Sequence, residues 1–266
     1  MIYLVILIQE REDLEVFSFI LGIVFGSFLN VLIIRLPLKK SFISPRSSCL
    51  HCNHIISWYH NIPIFSYLFL KGKCAYCNEK ISIQYPIVEF LAGIITTALF
   101  IKFGIGLDLF ISMIFFYTLI ILSFIDFKYK AVPDYLLLIV FILSFFVTTF
   151  DLIDAFKYAF IVSGAFVLLN FLVTFYIQNI KSKILKDESL RTQEALGEGD
   201  IPVLAALGVV LGIKGALIAI FLSSLFAIIP SLYFSFIKKD IQTPFIPYLV
   251  LGFLVEYFFN ISKVFN

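Results

Sequence analysis

Charge is what this sequence has least of. Asp, Glu, Lys and Arg make up 14% of its 266 residues and hydrophobic residues 61%, where soluble domains carry about 25% and about 45–50%. A water-soluble fold of this length could not hide so much apolar surface, so lipid must act as solvent for much of the chain. A net charge of only +2 argues against a nucleic-acid partner. The start, MIYLVILIQEREDLEV, lacks a basic leading region and a small-residue cleavage site, which argues against a cleaved export signal. There is no internal repeat, no low-complexity tract and no Rossmann-type glycine loop.

What is present is a series of apolar runs. A membrane helix needs about 20 mostly apolar residues, and eight spans are expected near 16–36, 86–103, 107–125, 133–150, 157–178, 201–213, 216–237 and 245–262. The sixth and seventh form one apolar run interrupted by Gly212-Ile213-Lys214-Gly215. Because a Lys at the bilayer centre costs roughly 2.5–3.5 kcal/mol, a tight hairpin at an interface is expected there. Alternate links, with Arg35 at the end of span one, hold 15 of the 20 basic residues. By the positive-inside rule that side is cytoplasmic and both termini face outward. The expected fold class is thus all-α, a polytopic membrane helix bundle of about eight spans. It divides into a first span (residues 1–37), a cytoplasmic loop (38–85) and a membrane core (86–266). The link 179–199 is polar and expected to be mobile.

The four cysteines all fall in the loop, as Cys49-x2-Cys52 and, 21 residues later, Cys74-x2-Cys77. Two such pairs aim four thiolates at one point, which is tetrahedral metal-ligand spacing. Zn2+ suits four thiolates and brings no redox chemistry. A loop this short can hardly build a core alone, so a structural metal would supply much of its folding energy. A reducing compartment disfavours the alternative of two disulfides. His51, His54 and His60 are expected to be solvated rather than ligands.

Carboxylates at membrane depth are costly and need explanation. Asp126 ends the apolar run of span three, and Asp134 opens span four after Pro133. Asp200 ends Gly197-Glu198-Gly199-Asp200 and precedes a short apolar run with Pro202 in its first turn, as expected for a residue at or near a helix N-cap. Gly197 and Gly199 permit a tight bend and a close peptide approach. Span six is too short for the bilayer, which recesses Asp200 below the cytoplasmic surface, where Asp126 also arrives. Two carboxylates that meet can share a proton, one acting as base for water and the other as acid toward a peptide group. The bland alternative is that both only cap helices. Glu89 and Glu256 also lie at membrane depth, and Glu256 has no evident partner in the sequence.

These residues together resemble the type IV prepilin leader peptidases, a branch of the GxGD intramembrane aspartyl proteases. The resemblance runs through Gly26-Ser27-Phe28-Leu29-Asn30-Val31 with Arg35-Leu36-Pro37 and then the paired cysteine motifs. It continues through Ile81-Ser82, Tyr85-Pro86 and Val88-Glu89, through Ile125-Asp126 with Pro133-Asp134, and through Gly197 to Asp200 with Leu204 to Gly208. It closes on Pro244-Phe245, Pro247-Tyr248 and Gly252. It implies Asp126 and Asp200 as the catalytic pair. It implies cleavage of prepilin and pseudopilin leaders after a glycine, at the cytoplasmic face of a bacterial inner membrane, in the service of type IV pili or type II secretion. It also implies N-methylation of the new N-terminus with S-adenosylmethionine, with Gly72 and Glu89 at positions associated with that cofactor. Leu50, His60, Gln84 and Pro202 depart from the family pattern without removing a catalytic group. Two other classes fit parts of the sequence: a transporter relaying protons through the carboxylates, and a non-enzymatic adaptor built on the cysteine loop.

Overall fold

The computed structural model describes residues 2–44, 46–185, 188, 197–233 and 244–264. Among these the regular elements are helical. The α-helices are α1 (Ile2–Arg35), α2 (Phe65–Phe69), α3 (Gln84–Phe103), α4 (Leu107–Tyr129), α5 (Asp134–Val147), α6 (Leu152–Phe175), α7 (Ser182–Leu185), α8 (Asp200–Tyr233) and α9 (Ile246–Phe259). A π-turn, Tyr176–Lys181, joins α6 to α7. Extended pairing is limited to two isolated bridges, Ser48 with Ile55 and Lys73 with Lys80.

Among the described residues, five helical stretches are long and apolar enough to cross a membrane: Asp13–Arg35, Gln84–Phe103, Leu107–Tyr129, Leu152–Ile184 and Asp200–Ser231; α5 and α9 are shorter apolar helices. The chain is a multi-pass membrane protein. The sixth and seventh expected spans follow one another in α8, as two helical stretches that meet at a kink at Gly212. The kink falls at the first residue of the segment expected to form the hairpin. Gly212 adopts φ 69° and ψ −178°, a conformation essentially reserved for glycine, and Lys214 and Gly215 are already helical again. Residues 186, 187 and 189–196 of the link 179–199, the far end of the expected seventh span and the basic link with Lys238 and Lys239 lie outside the described residues.

The chain forms two compact units, residues 1–125 and 126–266. In the first, α1 packs along α3 through small residues. A Cβ at Gly22 would sit 2.7 Å from the Ala92 carbonyl oxygen and 2.8 Å from Gly93 Cα, and one at Gly26 would sit 2.6 Å from Glu89 Cα. Lipid supplies no hydrophobic drive between helices, so such close approach, with its dispersion and hydrogen bonding, holds the pair. Asn30 is buried and donates to the carbonyls of Gly26 (3.3 Å) and Tyr85 (3.1 Å), a cross-helix tie that satisfies a polar group out of reach of water.

In the second unit α8 packs against α5, α6 and α9. Ala155 and Ala159 of α6 meet Ala205 and Val209 of α8 in a buried seam, and a Cβ at Gly208 would lie 2.7 Å from the Tyr158 carbonyl oxygen. The Thr148 hydroxyl donates to the Val209 carbonyl at 2.6 Å, just beyond the end of α5. On the far side of α6, Phe160, Leu168 and Phe171 are exposed and suit lipid contact, whereas Phe115, Phe116 and Phe253 are fully buried. The many phenylalanines thus serve both environments.

Gly252 is the tightest point of the second unit, since a Cβ there would overlap the Ala219 carbonyl and the Ser223 hydroxyl of α8. Gly252→Leu should separate α8 from α9 and destabilise the protein by about 1–3 kcal/mol or more. Thermal unfolding in detergent should show a clearly lower midpoint, and an unchanged midpoint would contradict this packing.

Candidate active site and metal centre

The second unit brings Asp126 and Asp200 to one place. Asp126 sits in the last turns of α4 and Asp200 is the first residue of α8, and both are buried, at 8% and 7% exposure. The Asp126 carboxylate accepts the backbone N–H of Ile246, the first residue of α9, at 3.2 Å. The Asp200 carboxylate accepts the backbone N–H of Gly197, while the Asp200 N–H donates to the Gly197 carbonyl at 3.1 Å. The two carboxylates are close enough for the charge of one to act directly on the other. Ile246 is near both residues, since its N–H meets Asp126 and a Cβ on Gly199, beside Asp200, would be 4.0 Å from Ile246 Cδ1.

The local sequence explains the placement. Asp200 opens a helix, and Pro247 at the start of α9 favours helix initiation there. Two helix N-termini, with their positive dipole ends, therefore lie beside the pair. Gly199 does not take a left-handed torsion, contrary to the expectation that its glycine character serves a bend. Space is the requirement, since its Cβ would press on Val132 Cγ2 at 3.0 Å. Gly197 likewise leaves the Asp200 carboxylate uncrowded, with a hypothetical Cβ 3.6 Å from Oδ2. Asp134 opens α5 but is exposed.

The other membrane-depth carboxylates have structural partners. Glu256 accepts the Ser262 N–H at 3.2 Å through both oxygens, so it closes the turn after α9. Glu89 accepts the Ile64 N–H at 2.7 Å and a hydrogen bond from the Ser27 side chain. It thereby ties the cysteine loop to both α1 and α3. Gly72 has different neighbours. Its φ of 67° and the Tyr67 hydroxyl, 2.9 Å from a hypothetical Cβ, make any side chain there costly.

In the loop, all four cysteine sulfurs lie within 4.8 Å of one another. The Cys49 and Cys77 sulfurs are 3.8 Å apart, far beyond a disulfide's roughly 2.05 Å. It matches the roughly 3.8 Å edge of a tetrahedron with metal–sulfur bonds of about 2.3 Å. The two cysteine pairs are built alike. Cys49 N–H donates to the His54 carbonyl (3.0 Å) and Asn53 N–H to the Cys49 carbonyl (2.9 Å); Cys74 N–H donates to the Glu79 carbonyl (2.8 Å) and Asn78 N–H to the Cys74 carbonyl (3.0 Å). Asn53 and Asn78 both take left-handed torsions, φ 56° and 58°, which Asn tolerates well. Backbone N–H groups of Cys52 and His51 pull the Cys49 thiol down to about 7. A backbone hydrogen bond from Glu79 acts in the same sense on Cys77, but burial and its three thiol neighbours push Cys77 up to about 12. A thiolate is favoured at Cys49 and disfavoured at Cys77, a conflict that a bound cation resolves. His60 is not solvated as expected. It packs against Tyr59 and Tyr76, with its Nδ1 buried.

Comparison with known proteins agrees with this arrangement. Residues 20–103 match the bacterial peptidase A24 N-terminal domain, and residues 113–232 match the type IV leader peptidase family. The chain is similar to the prepilin leader peptidase/N-methyltransferase of Bacillus subtilis, 32% identical over 92% of this chain and 94% of that protein. It is also similar to the one from Vibrio cholerae, 32% identical over 94% of this chain and 98% of that protein. To the Myxococcus xanthus protein of the same name it is 37% identical, over 73% of this chain and 55% of that protein, so the matched part spans about half the length of that relative. No solved structure matches the chain.

Metal analysis of the purified full chain should find one divalent ion per molecule, lost in Cys49→Ser or Cys74→Ser together with protection of the loop from limited proteolysis. A chain without metal whose loop is equally protected would contradict the four-thiolate site.

Proposed function

We propose that this chain, which belongs to the type IV leader peptidase family, removes the leader peptides of prepilins and pseudopilins with an aspartyl dyad and then N-methylates the new N-terminus. The observation that carries the reading is the meeting of Asp126 and Asp200, both buried, around Ile246 at the N-termini of α8 and α9. In this reading one proton is shared between the two, because like charges this near do not both ionise readily. The ionised carboxylate takes a proton from water as the water oxygen adds to the scissile carbonyl carbon. The protonated one hydrogen-bonds the carbonyl oxygen and, as the carbon–nitrogen bond breaks, supplies the proton that leaves with the amine. No covalent intermediate is needed. The lack of a side chain at Gly197, where a Cβ would stand 3.6 Å from Asp200 Oδ2, lets an extended peptide backbone approach the pair.

The residue assignments follow from this reading. Asp126 and Asp200 are the catalytic groups, in a membrane core of residues 86–266. Cys49, Cys52, Cys74 and Cys77 hold a structural Zn2+ in the loop 38–85, for which four thiolates at tetrahedral spacing are the natural donor set. The basic bias of alternate links supports a cytoplasmic position for that loop, at a bacterial inner membrane, where a prepilin leader would remain while its apolar helix lies in the bilayer. Methyl transfer from S-adenosylmethionine is supported by the names of the relatives and by the family resemblance at Gly72 and Glu89. In the fold Glu89 positions the loop through Ile64. A proton-relaying transporter would leave the four-thiolate loop without a purpose.

Membranes containing the full chain should cleave a prepilin, and Asp126→Asn and Asp200→Asn should each lower the rate by at least about a thousandfold while metal content and membrane insertion stay unchanged. Cleavage that survives both substitutions contradicts the dyad. Glu89→Gln keeps an oxygen acceptor for the Ile64 N–H and should retain a protease-resistant loop, whereas Glu89→Leu should open it; equal resistance in the two variants would contradict the positioning role.

A further inference from the structure

The cysteine loop presents an apolar face for which its own fold supplies no cover. Phe65, Leu68 and Phe69 of α2 are 59%, 66% and 84% exposed, and Trp58 is 74% exposed. Trp58 opens a 3-10 turn, Trp58–Asn61, that packs beside α2.

The depth of this face is set by a strained turn. The Phe65 N–H donates to the Pro63 carbonyl at 2.6 Å, closing a γ-turn around Ile64 at φ 61° and ψ −53°. That hand of γ-turn is rare, and a positive φ is unfavourable for a β-branched residue, so something must hold it. The holder is Glu89, whose buried carboxylate takes the Ile64 N–H at 2.7 Å. Glu89 is the sixth residue of α3, about 7–8 Å along the helix from its first residue at 1.5 Å per residue. Its neighbours Ile87 and Phe90 are exposed, as lipid-facing residues of a spanning helix would be. The tie therefore starts α2 beside the first turns of a membrane helix, near the level where headgroups give way to acyl chains.

Charge points the same way. Lys71 and Lys73 follow α2 directly, and residues 38–84 contain six basic residues and one acidic residue. Short segments with aromatic and aliphatic residues on one side and lysines at the margin lie in the membrane interface plane, and Trp prefers that layer. We propose that α2 with Trp58 is a foot seated in the headgroup–acyl boundary of the leaflet on the loop's side, with an anionic phospholipid surface as its partner. The foot holds the metal-bearing loop against the bilayer whatever chemistry the second unit performs, so it does not rest on the peptidase reading.

Trp58 is the single tryptophan of the chain and reports directly on this contact. The full chain, metal bound, is reconstituted into phosphatidylcholine–phosphatidylglycerol vesicles whose acyl chains are brominated either near the headgroup end or near the methyl end. Seating roughly 5–10 Å into the boundary should give a blue-shifted emission that loses at least about half its intensity to the shallow bromines and less to the deep ones. Leu68→Asn combined with Phe69→Asn should restore most of that emission with the metal content unchanged. Emission typical of water, quenched by aqueous acrylamide and indifferent to bromine, would overturn the proposal. So would protection of Trp58 that appears only when a prepilin is added, or only when the protein-to-lipid ratio is raised; these would assign the face to the substrate helix or to a second copy of the chain.

Discussion

Two carboxylates held together out of water are the constraint around which the second unit is organised. An isolated charge at membrane depth is costly, and two adjacent ones repel. The fold meets this with backbone donors: Ile246 N–H for Asp126 and Gly197 N–H for Asp200, at the starts of α9 and near the start of α8. That requirement explains why α8 and α9 both begin at this level and why Pro247 initiates one of them. It also explains why Gly199, with Val132 only 3.0 Å from where its Cβ would be, carries no side chain. The close packing of Gly252 on α8 keeps the two helices in the mutual position that the pair requires.

The first unit solves a different problem with similar means. A loop too small to fold on an apolar core draws its order from four thiols around one point and from Glu89, which fastens a strained turn to the α1–α3 pair. Small residues on α1 and α3 let these helices approach until Ser27 and Glu89 meet. The same polar contact that stabilises a carboxylate in an apolar setting thereby anchors the loop.

Much of this was legible in the sequence because the bilayer leaves few ways to satisfy a backbone. Apolar runs read as helices, the cysteine spacing as a shared site, and the acidic residues inside apolar runs as the places where chemistry gathers. The rest was hidden for identifiable reasons. Donation by Ile246 is a backbone act that no side chain announces, and it depends on a contact 120 residues away in the chain. The partner of Glu256 is likewise a backbone N–H, of Ser262. The break in α8 falls within Gly212–Gly215, as the composition there suggests, but that one glycine torsion suffices for it is visible only in the fold. The likeness of the two cysteine turns, each followed by Asn in a left-handed conformation, was visible as Cys-x-x-Cys-Asn twice over but gains meaning only from the matching hydrogen bonds.

Whether Asp126 and Asp200 grip one reacting group together can be read from binding, without relying on turnover. A prepilin-junction peptide whose scissile amide is replaced by hydroxyethylene presents a hydroxyl where the attacking water would stand. It should bind the reconstituted protein and lose at least about tenfold in affinity, about 1.4 kcal/mol, in both Asp126→Asn and Asp200→Asn. Binding that is unchanged in either variant would mean that the two carboxylates do not share a ligand.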